Sequence, residues 1–140
     1  DQVRCLFMGY LESIKKFEPQ LYLVFRVVFG LLFFAHGAQK LFGWFGGTPL
    51  ELASLMGVAG IVEFLAGLGI ALGFFTRLSA LGGVVTMVVG YAMVHAPQNW
   101  MPLVNQGELA LLYLVAFLVV LAHGAGEWSV EKSLLRKELF

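Results

Sequence analysis

The sequence predicts an all-α fold: a bundle of four transmembrane helices with short interfacial helices at the N- and C-termini. Three observations carry that prediction. Apolar residues make up 59% of the 140-residue chain and charged residues only 13%, about half the roughly 25% typical of soluble domains. Four apolar runs each approach the roughly 20 residues that cross a bilayer. The connections between them are short. Mean hydropathy is +0.84, so a soluble enzyme, a disordered tail and a collagenous chain are all excluded.

The runs cover approximately residues 20–45, 50–75, 78–95 and 107–124, read as one membrane domain, 1–140. Span one is interrupted by Arg26, His36, Gln39 and Lys40, and span two by Glu51 and Glu63. Span three carries no charge and ends at His95-Ala96-Pro97; span four has Glu108 at its start. Trp44, Trp100 and Trp128 fall at span ends, where amphipathic rings meet the headgroups. Residues 1–18 lack the apolar core of a secretory signal and read as an amphipathic helix on the inner surface. The chain starts at Asp1, and Met8 is a candidate initiator. The tail from Glu127 reads as a second interfacial helix, with Leu134, Leu135 and Leu139 along one face.

Net charge is zero, which gives no motive for nucleic-acid binding. The positions of the charges are more informative than their sum. Arg4, Lys15, Lys16, Arg77, Lys132, Arg136 and Lys137 are seven of the nine basic residues. Four spans place them all on one side. The positive-inside rule then puts both termini in the cytoplasm.

Ionisable groups at membrane depth are expensive and usually face a partner, a cavity or water. Arg26, Gly30, Phe33, Gly37 and Lys40 share one face of span one, with His36 on its flank; Gly60, Glu63 and Gly67 share a face of span two. Arg26 lies roughly 9 Å above the inner end of its span, and Glu63 near the midplane. A structural ion pair between Arg26 and Glu63 is therefore the leading internal contact, with Lys40 as the competing partner. His36, Lys40, Glu63 and Glu108 are the candidates for a polar binding pocket towards the outer face. Such donors beside an apolar slot suit a quinone headgroup. His95 and Asn99 read as loop residues. Arg77 reads as a topology determinant or lipid-phosphate contact, with Glu127 as a neighbour.

Other chemistries find no footing. One cysteine, Cys5, provides no disulfide framework. His36 and His123 lie at opposite ends of their spans, no metal-ligand spacing occurs, and no metal site is expected. There is no nucleophile elbow, phosphate loop or dinucleotide fingerprint, so no catalytic residue is assigned. The repeat of Ala35-His36-Gly37-Ala38 at Ala122–Ala125 reads as chance.

The order Arg26…Gly30…His36-Gly37…Lys40, then Glu63…Gly67…Gly73-Phe74-Phe75-Thr76-Arg77, then Asn105…Glu108 resembles the DoxX family. The resemblance runs from about Leu23 to Val130. Its strongest parts are Ala35–Gly43 and Glu63–Arg77. It implies a small bacterial inner-membrane protein of four helices. It also implies an accessory or quinone-proximal subunit of a membrane oxidoreductase complex, since the family takes its name from a subunit associated with such enzymes. The residues it carries over are Arg26, His36, Lys40, Glu63, Arg77 and Glu108. Two alternatives stay open: a packing subunit of a larger membrane complex with no chemistry of its own, and a small-molecule or ion carrier built around Glu63.

Overall fold

A computed structural model describes residues 2–139. The first helix, α1 (Gln2–Lys15), buries none of its residues. A turn at Phe17 leads into α2 (Glu18–Phe42), with Pro19 in its first turn, where a missing N–H costs nothing. Gly43 ends α2 in the left-handed conformation (φ 70°) and donates its N–H to Gln39 O. A 3₁₀ turn at Trp44–Gly46 follows, and the Leu50 N–H returns to Lys40 O at 2.8 Å. Ser54 caps α3 (Leu55–Leu72) by accepting from Gly57 N at 3.0 Å. The expected second span started at residue 50; the loop back to Lys40 delays the helix to this cap.

A tight turn through Gly73 joins α3 to α4 (Thr76–Gly90), which continues as one π-helical turn, Tyr91–His95. The loop to α5 (Glu108–His123) is organised by Asn105, which is 1% exposed. Its amide donates to Asn99 O at 2.8 Å and to the Tyr91 hydroxyl at 3.2 Å, while its Oδ1 accepts from Gly107 N at 2.7 Å.

Helices α2, α3 and α4 with its π-turn are long and apolar enough to cross a membrane; α5, at 16 residues, is shorter. Their outward faces are apolar, with Val28, Leu65, Val85 and Leu118 about half exposed. Among the described residues there is no strand.

Backbone contact sets the α2–α3 pair. A Cβ on Gly37 would lie 2.3 Å from Phe64 N; one on Gly67, 2.3 Å from Phe34 N; one on Gly30, 2.5 Å from Ala71 N. Small residues permit this approach and so fix the register. Helix α5 closes the bundle against α2 through rings. Phe117 meets Phe29 and Phe33 edge-on at centroid distances of 4.8 and 4.6 Å, and Tyr113 tilts against Phe33 at 5.3 Å. On its other side Phe117 fills the space that a side chain on Gly83 would take.

The tail corrects the sequence-based expectation. Instead of an interfacial helix it forms a single π-helical turn, Glu131–Leu135, folded over the end of the bundle. Glu131 is 1% exposed. Its carboxylate accepts from Thr76 N at 3.0 Å and Leu139 N at 3.1 Å, and its own N–H donates to Gly73 O at 3.1 Å. The physical reason is the start of α4. Phe75 stands at its N-cap position and supplies no side-chain bond, so the first N–H groups need an acceptor from elsewhere. An anion there also suits the helix dipole.

Two outcomes follow. Gly67→Ala forces a Cβ into the Phe34 backbone and lowers the thermal midpoint in detergent, at a cost of about 1–3 kcal/mol; an unchanged midpoint would contradict the contact. Glu131→Ala strips the cap from α4 and costs about 1–3 kcal/mol, and hydrogen exchange at Thr76 rises with it.

Candidate functional site

The α2–α3 register decides which charges meet. Gly37 lies against Phe64 and Gly60, and Gly30 against Ala71. Glu63, in the middle of α3, therefore stands level with the stretch near Gly37, while Arg26 stands level with Gly73. Along α2 those levels are roughly 16 Å apart. The expected Arg26–Glu63 pair is not formed, because no arginine spans that gap.

Lys40 takes the place of Arg26. Its Nζ lies 2.5 Å from Glu63 Oε1, with the lysine side chain 23% exposed and the glutamate 3%. The lysine runs inward from the end of α2 beside Gly60, where a Cβ would already be 3.0 Å from Lys40 Cβ. The other oxygen, Glu63 Oε2, is buried with no hydrogen-bond partner among the described residues.

Arg26 instead holds the tail. It is 2% exposed; Nη1 donates to Ala125 O and Nη2 to Trp128 O at 2.8 Å. Gly73, in the left-handed conformation, leaves the room its guanidinium occupies. Arg77 does similar work beside it. Its Nη1 donates to Leu121 O at 2.5 Å and Ala122 O at 3.2 Å, the last carbonyls of α5. Its acidic neighbour is Glu138, at 3.4 Å, rather than the expected Glu127.

Around Glu63 and Lys40 is a cavity of about 240 Å³. Its polar wall is His36, Lys40, Glu63, His95 and Gln106, and its apolar wall Phe33, Met87, Leu109, Ala110 and Tyr113. His36 meets Tyr113 edge-on at 5.7 Å. His95 is held by a 2.9 Å bond between Nδ1 and the backbone carbonyl of Asn105. A carbonyl only accepts, so Nδ1 carries a proton and Nε2 is the nitrogen left free of that bond. The cavity thus combines a carboxylate oxygen, two imidazoles and an ammonium with an aromatic wall.

Of the four residues proposed for the pocket, the structure brings together His36, Lys40 and Glu63. Glu108 is exposed in the first turn of α5 and does not line the cavity. It stands at a helix N-terminus, where an acid is favourable. His95 was read as a loop residue, yet the π-turn carries it into the wall. Its signal in the sequence was its place just before Pro97, where α4 has to end.

The DoxX family profile matches residues 21–96. The chain belongs to the DoxX family. The matched stretch holds Arg26, His36, Lys40, Glu63, Arg77 and His95, so the charged part of the cavity lies inside it; Glu108 and Glu131 lie outside. An uncharacterized protein from Haemophilus influenzae is 29% identical over 134 residues, which cover 91% of this chain and all of that relative. No solved structure matches the chain.

In this DoxX chain the ion pair is asymmetric, and its mutants should be too. Lys40→Met leaves a buried carboxylate without its cation and costs about 3 kcal/mol. Glu63→Gln costs less, because Lys40 is close enough to the bundle end to reach water. Lys40→Met with Glu63→Leu recovers most of the loss. Thermal unfolding of the three variants in one detergent checks the order.

Proposed function

We propose that this DoxX protein is an accessory subunit of a membrane oxidoreductase complex and holds the ring of a quinone or quinol in the Glu63 cavity. The observation that carries the reading is Glu63 Oε2, a buried acceptor without a partner among the described residues, in a cavity that also presents His36, Lys40 and His95. Leaving such an atom unpaired is costly, and a hydroxyl-bearing ring pairs it. Lys40 and His36 supply donors to a ring carbonyl, and Phe33 and Tyr113 supply a flat wall. A bound quinone supplies two-electron, two-proton exchange. The part of this chain is to hold the ring, exclude water, and take or return a proton at Glu63 Oε2.

The same reading places the chain in a bacterial inner membrane as one domain, with α2 to α5 as four spans. At roughly 24 Å α5 is short for a hydrocarbon core of about 30 Å. The packing of its rings against α2 supports counting it among the spans. Both termini then face the cytoplasm, in keeping with the seven basic residues gathered at that end. The absence of a second cysteine directs any thiol chemistry to a partner subunit.

Purified protein in nanodiscs, titrated with a short-chain ubiquinol, is expected to bind saturably. Glu63→Gln weakens that binding at least tenfold, and His36→Phe weakens it less. No saturable binding, or binding indifferent to Glu63→Gln, would remove the quinone part and leave the packing subunit as the reading.

A further inference from the structure

Glycine in a spanning helix serves where a neighbouring backbone approaches or φ is positive, and Gly90 meets neither condition. Gly30, Gly37, Gly57, Gly67 and Gly83 all press on a neighbour, while a Cβ added at Gly90 meets nothing within 4 Å. Its φ is −61°, ordinary for a helix. What Gly90 does is leave space, at the point where α4 passes into its π-turn. Such turns commonly mark sites where a helix is re-aimed for function.

The space belongs to an apolar slot of about 220 Å³ between α3 and α4. Val58, Val85, Val89 and Met93 on its rim are between 38% and 58% exposed on the lipid-facing side. Five of its lining residues, Met56, Ala59, Thr86, Gly90 and Val94, also line a smaller pocket of about 130 Å³ that reaches Glu63 and Lys40. That pocket in turn shares Lys40, Glu63, Met87, His95 and Ala110 with the cavity on the far side of Glu63. Shared walls therefore set three neighbouring cavities in a row from the apolar flank of the bundle, between two helices, to a buried carboxylate.

We propose that this slot is the tail seat for the ligand of the Glu63 cavity, and that the ligand is a membrane-dissolved quinone or quinol with an apolar chain. The inference rests on the headgroup reading above and adds the place and the need of a chain. Charge favours this occupant over a phospholipid. The charge of Lys40 is already neutralised by Glu63, and the acceptor left over, Glu63 Oε2, repels a phosphate but pairs with a neutral hydroxyl. The slot walls are aliphatic and contain no cation, so they suit a hydrocarbon chain and give an anionic head nothing to bind. Lipid tails are as apolar as the slot, so affinity comes from the head; the slot selects which molecules can present one.

Gly90→Leu projects into the slot from a residue that does not line the 240 Å³ cavity, and its Cβ enters open space. The test measures binding of decylubiquinol and of its tail-less parent ring to wild type and Gly90→Leu in nanodiscs. The expected result is at least tenfold weaker decylubiquinol binding in the variant, with the tail-less ring unaffected. Equal effects on both probes, or no effect on either, would overturn the lateral slot while leaving the headgroup site standing. Failure of wild type to bind either probe overturns the headgroup site itself. A quinone whose ten-carbon tail ends in a diazirine gives a readout on the unmutated protein. Cross-links on residues 55–62 and 85–94 support the slot, and cross-links confined to α2 or α5 refute it.

Discussion

Gly30, Gly37 and Gly67 remove the side chains that would hold α2 and α3 apart, so the two backbones lock each other's register. The placing of Glu63 and Arg26 depends on that lock. It sets Glu63 beside the end of α2 that carries Lys40, and it sets Arg26 beside Gly73. A shift of one turn would carry Glu63 about 5.4 Å along α2 and out of reach of the ammonium. In a membrane, where apolar surface gives helices no reason to prefer one another over lipid, such close packing is what remains to specify the pairing.

The two ends of the bundle then use their charges differently. At one end Arg26, Arg77 and Glu131 are spent on backbone groups: carbonyls of the tail, carbonyls closing α5, and the N–H groups opening α4. Each answers an unsatisfied peptide group that a low-dielectric environment would make costly. These contacts join segments distant in sequence and fold the tail over the bundle. At the other end Lys40 and Glu63 pair with each other but leave one carboxylate oxygen unmatched beside two imidazoles. One end fastens backbone segments and the other presents a carboxylate oxygen to a cavity, so structure and chemistry divide within one small bundle.

The π-turn at Tyr91–His95 links that chemistry to the lipid-facing surface. It brings His95 into the cavity wall while Gly90, one residue before it, thins the wall on the lipid side. Asn105 holds His95 from the loop, so the geometry of the site depends on a segment with little regular structure of its own.

Much of this was legible in the residues. Apolar runs bounded by Gly43, Gly73 and Pro97 placed the helices, because hydropathy and helix-breaking act locally. Glu63, Lys40 and His36 stood out because membrane depth makes any ionisable group conspicuous. Glu131 and His95 did not stand out, since a polar residue in a polar stretch carries no such mark. Nor could spacing decide between Arg26 and Lys40 as the partner of Glu63: both lie on the same face of α2, 14 residues apart in the sequence. The sequence by itself determined the helices, their apolar surfaces and the short roster of buried charges. The tertiary structure alone decided which charges meet, that the tail caps α4 instead of lying on the surface, and that Glu63 keeps one oxygen free. The physical reason is that helix register and chain return are properties of backbone contact between segments distant in sequence, and no local pattern encodes them.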